Sequence, residues 1–307
     1  MRRIKVTLKP LSAFGEEILG ETLFGQLCWQ LCSNFGTDEL ERLLKGYCEG
    51  NPFLVVSDAC PEGHLPVPEL PSNFWRQAAS RKELKKREWI PIERTKEPLE
   101  TWKGFSVLGS QYRTASVQTH NSINRETGTT GFGQFAPYDT AIDFYQQKLK
   151  LDCYFLLRDD FAKEHLLEAL QNIGLSGYGR DASIGLGKFE VSDTEEVQWE
   201  EKPGSYLALA SVDLSEISCT YPTFYKTKTH FGRHGSTAAL YGNPFKKPVL
   251  LARRGAVITV PSEKGAMWHG RGISGISNNG INCVHQGYAP VFPLGYVKKQ
   301  NNKEELT

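Results

Sequence analysis

Residues 148–191 read KLKLDCYFLLRDDFAKEHLLEALQNIGLSGYGRDASIGLGKFEV, and this one stretch holds a strand, a helix, a glycine-rich turn and a second strand in succession. Leu149, Leu151, Cys153, Phe155 and Leu157 alternate, as on one face of a strand, before Leu166, Leu167, Leu170 and Ile173 take up helical spacing. Gly174 supplies the expected helix stop. Gly177, Gly179, Gly185 and Gly187 then surround Arg180, Asp181, Ala182 and Ser183, and Lys188 leads into the strand GKFEVSD. Glycines this dense free a backbone for positive φ or for close approach to a ligand.

A Walker loop needs G-x-x-x-x-G-K-[ST] ahead of a helix. Here Phe189 follows Gly187 and Lys188, Ala182 stands five before Gly187, and the loop follows a helix, so neither spacing nor order fits. The dinucleotide pattern G-x-G-x-x-G fails too, because the residue three after Gly179 is Ala182. What remains is a nest of backbone N–H groups suited to anions, with Arg180, Ser183 and Lys188 beside it for the phosphates of a nucleic-acid backbone.

Outward from this stretch the same order recurs. MRRIKVTLKP alternates Ile4, Val6 and Leu8 against Lys5, Thr7 and Lys9, which predicts an opening strand. Leu23, Phe24, Leu27, Cys28, Leu31, Cys32 and Phe35 follow at helical spacing, started by Gly20 or Thr22 and stopped by Gly36. The amides at Gly20 and Thr22 are then candidates to hold a phosphate, and Gly25 inside the helix implies close approach at that turn. A short helix near Asp38–Tyr47 and a buried strand in PFLVVSDA come next. The chain then leaves the core over about residues 75–135. The first part, from Arg76 to Lys96, carries eight basic and three acidic residues, with Trp89 and Ile90 too sparse for a core. The second, TASVQTHNSINRETGTTGFGQFAPY, has the Thr, Asn and Gly content of a loop or hairpin.

The first 192 residues thus read β-α-β, excursion, β-α, glycine loop, β, the order of a ferredoxin-like or RRM-like domain. A polar stretch separates them from residues 205–299, where short glycine-rich strands suggest a second, degenerate domain of that class. The fold class expected is α+β: tandem ferredoxin-like (RRM-like) domains with a projecting hairpin insertion and a glycine-rich loop at 174–189.

Hydrophobic residues make up 39% of the 307, with no run of membrane-spanning length and no signal-peptide core at the start, so no membrane contact and a cytoplasmic location are expected. Seven scattered cysteines with no Cys-x-x-Cys pair argue against a disulfide framework or a zinc ribbon. Cys28 and Cys32 read as small core residues, and Cys60 with His64 is at most half of a metal site. Asp58, Asp181 and Asp213 are too dispersed for metal-assisted cleavage. Neither a metal nor a cofactor is expected.

Charge is distributed unevenly. Between Ile217 and Lys303 twelve basic residues face one acidic residue, Glu263, with Tyr221, Phe224, Tyr225, Phe231 and Tyr241 interleaved. A solvated face or an acidic partner would suit such a segment, but a phosphate-backbone binder suits it best.

On these residues the chain resembles the RAMP superfamily of CRISPR-associated proteins. The loop GYGRDASIGLGKFEV, after an amphipathic helix and ahead of a strand, is similar to the RAMP glycine-rich loop. FGEEILGETLFGQLCWQL, FLVVSDACPEGHLPVPELP and HNSINRETGTTG are similar to the subunit that caps the 5′ end of the guide RNA in type III-A (Csm) effector complexes, and VHQGYAPVFPLGYV continues the likeness loosely. The resemblance implies a non-enzymatic RNA-binding subunit that holds the repeat-derived 5′ tag of the crRNA. It implies contacts with the large polymerase-like subunit and with the backbone RAMP subunits, and a thumb hairpin that disrupts pairing with target RNA near the tag.

The expected RNA contacts are Gly177, Gly179, Arg180, Ser183, Gly185, Gly187 and Lys188 in the loop, and His120, Asn121, Asn124, Arg125, Thr129 and Thr130 in the polar arm. Gly20 and Thr22 add backbone donors, while His230, Arg233, His234, Arg253 and Arg254 rest on charge alone. RAMP relatives also include metal-independent ribonucleases that trim guide-RNA precursors. In that alternative His120 or His234 would act as general acid or base.

Overall fold

The computed structural model describes residues 1–76, 81–131, 133–200, 203–217, 220–235, 243–260 and 265–297. Glu263 and Tyr241, with Lys264, Lys298, Lys299 and Lys303 of the basic segment and Cys219 of the seven cysteines, lie outside the described residues.

The alternation read at the start of the chain forms β1 (Arg2–Pro10), in which Ile4, Val6 and Leu8 are each no more than 1% exposed. It lies between β9 (Leu151–Leu157) and β10 (Phe189–Glu196), antiparallel to both, and β2 (Leu54–Val56) pairs with the far side of β9. The first sheet therefore runs β10-β1-β9-β2, with β3 (Cys60–Pro61) also pairing with β9. Helices α1 (Gly20–Phe35) and α5 (Lys163–Ser176) lay Leu23, Phe24, Leu27, Leu31, Leu166, Leu170 and Ile173 against Ile4, Val6, Cys153 and Phe155. Between α1 and β2, α2 (Thr37–Leu44) adds Leu43 to this core.

Two glycines behave differently from their sequence reading. Gly174 lies inside α5 rather than ending it: a Cβ there would stand 2.2 Å from the Phe189 carbonyl oxygen, so the glycine lets helix and strand meet, and Gly177 caps the helix. Gly25 has open space where close approach was expected.

The excursion is also less of an outlier than its composition suggests. β4 (His64–Pro66), β5 (Arg87–Pro91) and β6 (Val107–Leu108) form a small sheet, flanked by the short helices α3 (Arg81–Leu84) and α4 (Trp102–Phe105). Trp75, Trp89, Ile90 and Trp102, isolated in sequence, gather with Leu65, Tyr154, Leu207 and Val257 into a second core on the other face of the first sheet. A buried tryptophan removes roughly 150–250 Å² from water, on the order of 4–6 kcal/mol before entropy is counted. Sparse aromatics therefore suffice. Only the later part leaves the body: β7 (Arg113–His120) and β8 (Tyr138–Tyr145) pair from Arg113↔Tyr145 to His120↔Tyr138, and β7 is exposed over six of its eight residues.

In the second half, β11 (Gly204–Ala208), β14 (Val257–Val260), β15 (Trp268–Ile273) and β16 (His285–Gly295) form an antiparallel sheet in the order β14-β11-β16-β15. β12 (Thr227–His230) and β13 (Val249–Ala252) form a separate ribbon. The described residues of this half contain no helix. The first half takes over part of its covering: Tyr288 of β16 is fully buried in the first core and donates its hydroxyl to the Tyr47 carbonyl at 2.6 Å.

Candidate nucleic-acid interface

The glycine loop is held as a rigid clasp. Gly177, Gly179, Gly185 and Gly187 all have positive φ, as does Asp181 at 65°. The Gly187 N–H donates to the Ala13 carbonyl at 2.8 Å, the Tyr178 N–H to the Gly187 carbonyl at 2.9 Å, and the Lys188 N–H to the Ser12 hydroxyl at 2.9 Å. These bonds use amides that the sequence offers to an anion. The loop's exposed side chains are those of Arg180, Ser183, Ile184 and Lys188.

Arg180 ties three segments together. Its guanidinium donates to the Gly15 carbonyl at 2.7 Å and to the Ala141 carbonyl in β8, joining the glycine loop, the turn before α1 and the base of the β7–β8 hairpin. The hairpin base is fixed further by a backbone bridge between Phe14 and Asp143 and by Arg113, which pairs with Glu17 and, at 3.3 Å, with Asp143. Backbone carbonyls thus occupy much of the hydrogen-bonding capacity that the sequence assigns to phosphate.

The start of α1 is closed. The Gly20 N–H donates to Asp58 Oδ1 at 2.8 Å and the Leu19 N–H to the Tyr178 hydroxyl at 2.8 Å, so an internal carboxylate occupies the position expected for a phosphate. Gly20 is buried, and Thr22 is half-buried beside it. Burial and the neighbouring Glu21 charge push the Asp58 carboxyl up to about 6. Burial also opposes ionisation of Glu21, but hydrogen bonds from His230 and Lys228 outweigh it and hold Glu21 below the usual carboxylate range.

Part of the basic second half is consumed here. Arg254 is 7% exposed, with Nη1 at 2.7 Å from Glu17 and 3.4 Å from Asp58, and its guanidinium stacks 4.7 Å above Trp89. Lys228 Nζ lies 2.6 Å from Glu21. Arg254, expected on charge alone to meet RNA, instead neutralises first-half carboxylates. His234 likewise is 6% exposed, with Nε2 at 3.1 Å from the Ser277 hydroxyl, while Arg233 and Arg253 face solvent.

Beyond the hairpin strands, Asn121, Arg125, Thr129 and Thr130 are exposed. Asn124 organises the turn: its N–H donates to the Thr129 carbonyl at 2.9 Å, and its side-chain oxygen accepts from the Glu126 N–H at 2.9 Å. His120 stacks on Tyr138 with ring centroids 5.5 Å apart. Eight-residue strands at about 3.3 Å per residue place this end roughly 25 Å from the hairpin base. The hairpin tip is therefore well separated from the glycine loop, which is tied to the hairpin base through Arg180 and Ala141.

Cys60 donates to the Asp152 carbonyl while His64 bonds to Glu62 and Tyr112, so the two are differently engaged, and no cluster of three metal-ligating side chains occurs among the described residues. Burial pushes the Cys28 thiol up to about 12 and that of Cys60 well above its ordinary value, in keeping with packed, inert cysteines. Asp213 pairs with Arg271 at 3.0 Å, whereas Asp58 faces Arg254. No described helix is long and apolar enough to cross a membrane. Sequence reasoning missed Glu17, Glu21 and Tyr178 as organising groups, since their partners are more than 90 residues away and leave no local pattern.

Among solved structures, a chain of the Csm1-Csm4 cassette in complex with pppApA matches with a TM-score of 0.62 at 13% identity, covering 98% of this chain and 100% of that one. The cassette in complex with AMPPNP gives the same score and coverage. A chain of the Csm3-Csm4 subcomplex in the type III-A CRISPR-Cas interference complex matches at 0.59 and 15% identity, covering 95% of this chain and 100% of that one. The fold of this protein is the fold of those chains, along the whole length of each. No protein-family model matches the sequence, and no curated protein matches it.

Proposed function

We propose that this chain is the RAMP subunit that caps the 5′ end of the guide RNA in a type III-A CRISPR effector complex. The observation that carries this is the end-to-end likeness to chains from both a Csm1-Csm4 cassette and a Csm3-Csm4 subcomplex, two assemblies with Csm4 in common. The resemblance read in the sequence points to the same subunit independently.

In this reading the first half is a ferredoxin-like domain, supported by its β10-β1-β9-β2 sheet with α1 and α5 on one face, and the second is a degenerate, helix-poor counterpart. The repeat-derived tag of the crRNA crosses the glycine loop, meeting Lys188 and Ser183, with the clasp fixing shape and Lys188 supplying charge. The β7–β8 hairpin is the thumb, set to part guide from target RNA near the tag. The remaining surfaces bridge a large polymerase-like subunit to backbone RAMP subunits.

The subunit is proposed to be non-catalytic. His234 is buried against Ser277, and His120 stacks on Tyr138, placements that favour structural and contact roles over general acid–base work.

Co-purification tests the assignment. Tagged protein expressed with its neighbouring genes should bring down a large polymerase-like subunit and a short RNA of fixed 5′ sequence. Recovery without RNA would overturn the proposal. Cleavage of repeat RNA by the purified protein in EDTA, abolished by His120→Ala, would install the ribonuclease instead.

A further inference from the structure

We infer that the outward face of the β12–β13 ribbon is a stacking platform for unpaired bases of single-stranded RNA. The inference rests on the reading that this chain holds RNA, and it adds a contact in the second half, outside the glycine loop.

Alternation along the ribbon sorts its side chains. Lys228 and His230 turn inward to Glu21, and His234 is buried, whereas Thr227, Thr229, Phe231 and Arg233 turn outward. An antiparallel bridge between Arg233 and Phe245 extends the pairing past β12. It is flanked by a Lys246 N–H bond to the Gly232 carbonyl and a His234 N–H bond to the Pro244 carbonyl, both 2.8 Å. Phe245 and Lys247 thereby share the outward face with Phe231 and Arg233. Phe231 is 68% exposed and Phe245 52%, and the Arg233 guanidinium lies 5.2 Å above the Phe245 ring.

The platform is pinned from behind. Asn278 donates to the Phe245 carbonyl and Asn279 to the Asn243 carbonyl, each at 2.8 Å, and Lys247 Nζ donates to the Gly275 carbonyl at 3.0 Å. Ordering these groups is therefore a cost met during folding, not on binding.

Charge selects the occupant. The sequence has no acidic residue between Glu216 and Glu263, so the ribbon itself offers no carboxylate to Arg233 or Lys247. Exposed aromatic rings beside cations to which the ribbon supplies no carboxylate match the two repeating features of single-stranded RNA, its bases and its phosphates.

The test is crosslinking and titration of the full chain with a 4-thiouridine-substituted repeat RNA. Crosslinks should map to Phe231 or Phe245, and the Phe231→Ala, Phe245→Ala double variant should bind on the order of tenfold to a hundredfold more weakly with an unchanged salt slope, as stacking predicts. Arg233→Ala with Lys247→Ala should instead flatten the slope. If both pairs bind like wild type while Lys188→Ala weakens binding, the platform is wrong and the RNA-holding function stands. If Lys188→Ala has no effect either and the wild type does not bind, both readings fall. Lost recovery of a partner subunit with unaltered RNA affinity would make the face a protein-docking surface and overturn the inference.

Discussion

The side-chain amide of Gln286 pairs with both backbone groups of Val56: its oxygen accepts from the Val56 N–H and its nitrogen donates to the Val56 carbonyl, each at 2.8 Å. Val56 lies on β2, an edge of the first sheet, and Gln286 is the second residue of β16 in the second. One side chain thus does for the edge what a neighbouring strand would, and it joins the halves.

Gln286→Leu keeps the bulk but leaves two buried backbone groups unpaired. The expected cost is about 3 kcal/mol, from roughly 1–3 kcal/mol for each orphaned group. Urea unfolding of the full chain measures it. A change below about 0.5 kcal/mol, well under the cost of even one orphaned group, would mean that packing of Tyr288, not this pairing, closes the junction.

The carboxylates at the start of α1 should respond to pH in opposite senses. Glu21 is held below its ordinary value of 4.5, so its contribution is fully present above 4.5 and is lost as pH falls through the folded value. Glu21→Gln should cost about 3 kcal/mol at pH 7, because Lys228 loses its buried partner, and the difference should narrow below pH 4.5. Asp58 is raised from 3.8 to about 6, so its contribution is present below 3.8 and lost as pH rises to about 6. Asp58→Asn retains an acceptor for the Gly20 N–H, and its stability relative to wild type should improve between about pH 4 and pH 7. A constant difference would show that Asp58 does not titrate in that range. Denaturation midpoints across pH distinguish these outcomes.

How legible this was depended on distance along the chain. β1, α1, β9, α5 and β10 follow from periodicity because each lays regularly spaced apolar residues against the first core, although β9 is buried on both faces. Trp75, Trp89 and Trp102 defeat such reading, since a core assembled from single residues far apart has no period. The charge imbalance was visible, but not its use: Arg254 and Lys228 meet Glu17 and Glu21 only after folding. The glycine loop follows from its spacing and its place between helix and strand, while the internal bonding of its amides depends on Ala13 and Ser12, which local spacing does not reveal.

Arg180 and Lys188, adjacent in purpose by sequence, should separate by experiment. Lys188→Ala is expected to lower the slope of log affinity against log salt by about 0.7, the value for one phosphate on a single strand. Arg180→Ala removes the tie to Gly15 and Ala141 and should speed amide exchange in the hairpin base, around Ala141–Asp143, with little change in slope. An equal slope change from both would place the Arg180 guanidinium on RNA as well.

Within the loop, Gly187 and Gly185 divide fold from function. Gly187 has φ +73°, and a Cβ there would stand 2.1 Å from the Tyr178 carbonyl oxygen, a backbone atom held by the clasp. Gly187→Ala should therefore cost more than about 3 kcal/mol, adding a forced shift to the strain of a left-handed alanine. Gly185 has φ +96° with nothing within 4 Å of where a Cβ would stand, so Gly185→Ala should cost only that strain, about 1–2 kcal/mol. Gly185 follows the exposed residues Ser183 and Ile184 in the chain. If RNA crosses there, Gly185→Ala weakens guide retention well beyond its small loss of stability, whereas Gly187→Ala lowers both together. Retention that merely tracks stability in both variants would move the RNA off this face of the loop.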